Sequence, residues 1–372
     1  MNHFTKVVLS VAMAFVALSS CSGDDDVATG SNWSSFDLGP LESRNDPVVA
    51  TIGTEVLVVG GNNFFCAPTD DCALPDEEPL DDGAMFDTET SQWRPVAAAP
   101  FGLDYAEATT IGSSVYVITQ CDKHPSCPRG RAMIRYDVDD DAWVVLAEVP
   151  GKGYHHLLPV DGELFAVSTS NEQPGPDYRY DASSDSWDVL DAAPGPPLFD
   201  RFAVDVAGTL VMYGSPIEGE QQEKFVASYD LDAEVWTELG RAPSGGWQVF
   251  DIDDTIVLNP HFGAMDGGIH DLATDTWTPL PAAPSSDRWR GDIAGVIGAG
   301  TASYEYAQGW MLDLRSDSWV EVALPGSEAS QASVIAVGDA LFVVGGHHWT
   351  DGEVRVDGGV SLWKPTDGNV ER

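Results

Sequence analysis

The residues best suited to chemistry in this chain are its few histidines, arginines and isolated aromatics, and they fall in short runs. Tyr154-His155-His156, Arg288-Trp289-Arg290 and His347-His348-Trp349 are the densest, while Tyr105, Arg201 and Trp247 each follow a recurrent proline by a few residues. Adjacent imidazoles suit copper ligation. An arginine fork suits a carboxylate or another anion, and an indole offers a sugar ring an apolar face. No GxSxG, HExxH or GxxxxGK[ST] occurs, so serine-hydrolase, zincin and phosphate-cradling chemistry lack their local signatures.

The cysteines divide into two kinds. Cys66 with Cys72, and Cys121 with Cys127, are local pairs with five intervening residues each. In an exported chain such pairs read as disulfides. Closing so small a ring contributes roughly 2.4 kcal/mol per bond, which stiffens a loop rather than holding a domain together. Zinc is the rival reading, since His124 lies in the second loop, but CxxxxxC is not a usual zinc spacing. Cys21 stands apart, after Lys6, an apolar run from Val7 to Leu18, and Ser19-Ser20. That run is too short to span a bilayer permanently. Leu18-Ser19-Ser20-Cys21 resembles a bacterial lipobox, which makes residues 1–20 a signal peptide and Cys21 the lipidated residue. The polar stretch to residue 31, with Asp24, Asp25 and Asp26, reads as a flexible tether.

The elements that must position the first group are announced by a repeat. Six segments carry aspartate six residues before tryptophan, and Trp93, Trp143, Trp187, Trp236, Trp277 and Trp319 are spaced 50, 44, 49, 41 and 42 residues apart. Pro100, Pro150, Pro194, Pro243, Pro284 and Pro325 follow them. This period belongs to an array in which no unit buries its own faces. Between each proline and the next Asp-Trp segment lie two strand-like runs, such as Ala108 to Ile111 with Ser114 to Thr119. With the strands flanking the Asp turn they make four antiparallel strands, a propeller blade. Trp33 lacks strands before it, whereas Ser333–Val337, Ala340–Gly346 and Val360–Trp363 lack a closing strand after them. The expected fold is therefore an all-β, seven-bladed β-propeller over residues 32–365, with the N-terminal strand completing the last blade and residues 366–372 a tail. The aspartates should accept N–H bonds in their turns, and the tryptophans should fill the wedges between sheets.

The pattern resembles the kelch family of β-propellers. The matching features are Gly60-Gly61 and Gly345-Gly346 ending second strands, the aromatic-Asp entry to the third turn, and the Trp opening the fourth strand. Five repeats lack the paired glycines, showing Thr119-Gln120 or Gly214-Ser215 instead, so the array is degenerate. The resemblance implies fold more than activity. The superfamily includes copper radical oxidases such as galactose oxidase, and sialic acid epimerases. The oxidases need a Cys-Tyr crosslink that paired loop cysteines would not supply, and no epimerase motif aligns residue by residue.

Charge bounds the partners. The chain has 60 acidic and 18 basic residues, a net charge of −42, which opposes binding to nucleic acid. Acids are spread through all repeats, as on a hydrated, salt-tolerant surface, with a denser group from Asp70 to Asp82. Antiparallel order places the loops between second and third strands on the same face as the connections between blades. That face should gather His124, His261, His347, His348 and Trp349 with Arg44, Tyr154 and His156. Tyr105, His155, Arg201, Trp247 and Arg290 fall nearest the channel mouth and are the candidate ligand-binding residues. The reading is an exported binding or scaffold protein on the extracytoplasmic side of a bacterial membrane. It is a monomer held to the membrane by its lipid alone, with a glycan or protein ligand and no cofactor, metal or catalytic residue. The alternative is a carbohydrate-acting enzyme, epimerase- or oxidase-like.

Overall fold

The structure, a computed structural model, describes residues 32–63, 78–104, 106–119, 131–151, 153–169, 175–217, 223–243, 249–252, 255–258, 267–281, 296–298, 301–303, 310–313, 318–321, 330–338, 340–350, 353–356 and 358–364. All regular elements among them are strands. β1 (Trp33–Asp37) is followed by a first sheet of β2 (Val48–Ile52), β3 (Glu55–Val59), β4 (Gly83–Asp87) and β5 (Gln92–Pro95). The second holds β6 (Ala106–Ile111), β7 (Ser114–Thr119), β8 (Met133–Asp137) and β9 (Ala142–Leu146), and the third β10 (His155–Val160), β11 (Glu163–Ser168), β12 (Tyr178–Asp181) and β13 (Ser186–Val189). The fourth holds β14 (Leu198–Val206), β15 (Thr209–Pro216), β16 (Phe225–Asp230) and β17 (Val235–Glu238), and the fifth β18 (Val249–Ile252), β19 (Thr255–Leu258), β20 (Gly268–Asp271) and β21 (Thr276–Thr278). A sixth contains β22 (Val296–Gly298), β23 (Thr301–Ser303), β24 (Trp310–Asp313) and β25 (Ser318–Glu321). The last contains β26 (Ser330–Val337), β27 (Ala340–Thr350), β28 (Glu353–Val356) and β29 (Gly359–Trp363).

The first five sheets are antiparallel meanders in chain order. β1 pairs with β29, Trp33 opposite Trp363, so the N-terminal strand closes the last sheet as expected. First strands meet in sequence from β2 to β18, which meets β22 and β23 of the sixth sheet; β23 then meets β26, which returns to β2. That ring of inner strands is a β-propeller. The sixth sheet departs from the expected order: β22 lies between β23 and β24 and runs parallel to β24. Its first two strands are three residues each, too short for a hydrophobic alternation to pin register. The last sheet departs too. His347, His348 and Trp349, expected in a loop, continue β27 and pair with β28, His347 opposite Val356.

Hydrophobic cores lie between sheets rather than within any one of them. Phe342 and Val344 of the last sheet pack with Val56 and Phe86 of the first, and Leu57 and Met85 of the first pack with Val117 and Ile134 of the second. Trp93, Trp143, Trp187, Trp236 and Trp277 each join the wedge behind them. Trp93 donates its indole N–H to Asp37 O at 2.9 Å, Trp143 to Ala97 O at 2.8 Å, Trp187 to Ala147 O at 3.0 Å and Trp236 to Asp191 O at 2.8 Å. Every acceptor lies four residues after the previous repeat's tryptophan. Across the turn, the ring at the Tyr-Asp position sits 4.4 to 5.1 Å from the indole, from His270–Trp277 to Tyr180–Trp187.

The repeat aspartates behave as the turn argument requires. Asp87 accepts from the N–H groups of Glu89 and Thr90, Asp137 from Asp139 and Asp140, Asp230 from Ala233 and Asp271 from Thr274. A second acid, two residues before the tryptophan, carries the bond between sheets. Asp141 accepts from Ala97 N and Tyr136 OH, Asp185 from Ala147 N and Tyr180 OH, and Asp275 from Gly240 N while pairing with His270 Nε2. These three residues sit at φ 47°, 49° and 50°, a left-handed conformation that aspartate tolerates better than most side chains.

Trp277 Nε1, unlike those four and like Trp33 Nε1, is buried with no acceptor among the described residues. Trp143→Phe should therefore lower the unfolding free energy by about 1–2 kcal/mol more than Trp277→Phe does, as measured by denaturant titration of both variants.

Candidate functional site

The ends of second strands, the starts of third strands and the connections into first strands share one face of the propeller, and its described charges are mostly paired across sheet boundaries. Arg201 sits in a bulge of β14 where register shifts between Phe199 and Phe202. Asp200 beside it has φ 47°, the kind of irregularity that re-aims a side chain. Arg201 is 6% exposed. It donates to both oxygens of Asp177, at 2.9 and 2.6 Å, and to Ser168 O at 3.1 Å. Asp177 also accepts from Ser168 N. This bidentate pair joins the third sheet to the fourth.

Arg44 plays a related part at ring closure. Fully buried, at 0% exposure, it donates to Asp82 at 3.0 and 3.1 Å and to Gly60 O at 2.9 Å. Its own carbonyl accepts from Gly346 N of the last sheet. Here the paired glycines acquire a cause. Gly61 and Gly345 have φ of 90° and 74°, and a Cβ on them would lie 2.5 Å from Asn45 O and Arg44 O respectively. The chain entering the first blade passes directly over both strand ends.

His155 begins β10 and is 1% exposed. Arg131 of the second sheet donates to its Nδ1 at 3.0 Å and to Gly151 O. Since arginine only donates, Nδ1 must be the acceptor and the imidazole neutral. Burial, seconded by the Arg131 charge, pushes its pKa down to about 4. His156 points the other way, as successive strand residues do. Its Nδ1 lies 2.6 Å from Glu107 Oε2 of β6, and the other Glu107 oxygen accepts from Leu157 N. Burial opposes the imidazolium, but the Glu107 carboxylate overcomes it and raises the pKa above the usual value. Its side chain keeps 42% of its surface accessible. Phe202 stacks on it at 6.2 Å, and Lys224 Nζ lies 5.9 Å from the same phenyl ring. Lys224 is buried against Ser215 Oγ at 3.2 Å, and burial lowers its pKa against the pull of Asp200. At the first boundary Asn62 donates to Asp104, and burial together with the Asp104 charge pushes Asp46 up to about 6.

His155 and Arg201 of the sequence candidates are thus placed at adjacent boundaries, engaged by Arg131 and Asp177. Tyr105, Trp247 and Arg290 lie outside the described residues, as do Cys21, Cys66, Cys72, Cys121 and Cys127. Among the described residues no three His, Cys, Asp or Glu side chains are grouped to hold a metal ion. His155 and His156 leave opposite faces of β10, so they cannot chelate one ion together. Residues that the repeat pattern did not single out complete the face: Glu107, Arg131, Asp177 and Lys224. Only Glu107 carried a visible signal, as the one charge in Ala106–Ile111.

Two outcomes test this assignment. Arg201→Ala should cost about 3–5 kcal/mol by leaving Asp177 buried and unpaired, and adding Asp177→Ala should restore part of the loss. For His155, both folded and unfolded chains are neutral above pH 6.5. Between 6.5 and about 4 only the unfolded chain takes the proton. Stability should fall by on the order of 3 kcal/mol across that window. His155→Gln should remove that portion of the slope when unfolding is followed against pH.

A family model described as Kelch motif matches residues 43–100, which span the first sheet and the chain segments on either side of it. A search of curated proteins finds no match. The matched segment, the recurrence of its four-stranded antiparallel sheet and the ring of inner strands fit a kelch-like β-propeller.

Proposed function

We propose that this chain is an exported, lipid-anchored binding scaffold, held at Cys21 on the extracytoplasmic side of a bacterial membrane and monomeric. It presents the loop-bearing face of its propeller to a glycan or a protein. The kelch-type repeat supports a scaffold or binding role. The carrying observation is that the described charges on that face, Arg44 with Asp82, Arg131 with His155 and Arg201 with Asp177, bond one part of the framework to another. They form a rigid floor, and loops on a rigid floor are suited to recognition. Tyr154, 55% exposed beside His155, is the described residue best placed to meet a ligand, and Tyr105, Trp247 and Arg290 belong to equivalent connections. Arg201 and His155 act in this reading as positioning residues.

A second reading, a carbohydrate-acting enzyme, draws on the accessible Glu107–His156 pair, in which a carboxylate orients an imidazole, the arrangement of a general base. The two readings separate in one set of experiments. The purified chain is screened on a glycan array and against surface proteins, and the same saccharides are assayed for turnover. For a scaffold, a saccharide or protein is retained unchanged, and a Tyr154→Ala/Trp247→Ala variant binds about tenfold more weakly at an unaltered melting temperature. Turnover lost in both Glu107→Gln and His156→Gln would establish the enzyme instead. Acylation abolished by Cys21→Ser tests the anchor.

A further inference from the structure

The outermost strand of each sheet is an open edge, and all but one of these edges are guarded. β1 carries Asp37, β5 Arg94 and Pro95, β13 Asp188, β17 Glu238 and β25 Glu321, while β21 is three residues long with Pro279 directly after it. Charge, proline and shortness are what stop an edge from pairing with another chain. β9 has none of them: its five residues, Ala142–Leu146, are uncharged and free of proline.

The register locates the open groups. Three residues after the repeat tryptophan the N–H bonds inward to the third strand, Val96 to Gly83 O, Leu190 to Asp177 O and Leu239 to Val226 O, so by alternation the residue two after the tryptophan turns its N–H and C=O outward. In the first and fifth sheets that residue is proline, Pro95 and Pro279, which has no N–H to offer; in the fourth and sixth it is Glu238 and Glu321. In the second sheet it is Val145. That side chain is 58% exposed, Val144 on the opposite face is 41% exposed, and no described residue takes up the outward backbone groups of Trp143 and Val145. Val189 holds the same place in the third sheet, but on a four-residue strand with exposed Asp188 beside it. Acids stand at both ends of β9, exposed Asp139 and Asp140 before it and exposed Glu148 after it, while β8 behind it carries one charge of each sign, Arg135 and Asp137. Unpaired backbone between exposed valines suits an added strand, and the flanking acids select one with basic ends.

We propose that the β9 edge is a docking site for an extended segment of a protein partner, β-branched in its middle and basic at its ends, which adds a fifth strand to the second sheet. The inference is independent of what the loop-bearing face binds. It is tested on the whole purified chain by fluorescence anisotropy with a labelled peptide, Lys-Lys-Thr-Val-Thr-Val-Thr-Lys-Lys, and with its counterpart carrying glutamate in place of lysine. The lysine peptide should bind saturably at one equivalent and protect the Val145 amide from hydrogen exchange, and the glutamate peptide should bind about tenfold more weakly. Val145→Pro, which copies Pro95, and Val145→Glu, which copies Glu238, should each cost about tenfold in affinity at an unchanged melting temperature, whereas Val189→Pro should leave binding unaltered. Equal binding by wild type and Val145→Pro would mean diffuse attraction of a basic peptide to an acidic surface and would overturn the proposal. Absence of saturable binding would overturn it as well. A concentration-dependent dimer dissolved by Val145→Pro would assign the edge to a second copy of the chain, against the proposal.

Discussion

No four-stranded sheet in this chain can bury both its faces alone, and the bond that answers this constraint is the indole-to-carbonyl contact between successive sheets. Trp143 and Trp187 each reach the carbonyl four residues after the previous repeat's tryptophan, while the acid two residues before each takes the N–H of that same residue. One backbone residue is thereby held from both directions. The contact is local in its chemistry and long in its reach, joining residues about one repeat apart. Fold stability is accordingly a sum over sheet boundaries, and every boundary matters because the ring has no free end once β1 has paired with β29.

The inner ring uses a different chemistry for the same task. Along the inner strands, among the described residues, ion pairs and charge-assisted hydrogen bonds serve the boundaries. Arg201 with Asp177, Arg131 with His155, and Glu107 with His156 each cross from one sheet to the next. A buried pair of this kind adds little net stability over a hydrophobic one but is costly to break, which suits a position where geometry must be held for the loops above. The adjacent histidines show how finely strand geometry divides roles. One is sealed and neutral beside an arginine, the other accessible and drawn toward the imidazolium by a glutamate.

The two faces differ in kind. One end of the sheets collects long connections, buried ion pairs and the residues first noted for chemistry. The other collects tight turns whose sequences look like ordinary scaffold, Asp181-Ala182-Ser183 among them.

What the sequence by itself determined was whatever repeats. Tryptophan and aspartate at constant spacing announced the sheets, their four-strand order and the closure by Trp33, because each unit imposes the same local demands of turn and wedge. Irregular units were read less well. The sixth sheet, with strands of three residues, took an order that no alternation specified, and His347 to Trp349 extended a strand where a loop was expected, since pairing with Glu353–Val356 satisfies backbone groups that a loop would leave to water. Tertiary structure alone decided what the candidate side chains touch. Arg201 and His155 could be placed on a face from strand order, but whether they meet a ligand or Asp177 and Arg131 depends on residues 24 positions away in each case. Those distances close only when neighbouring sheets dock, and no spacing along one repeat encodes them.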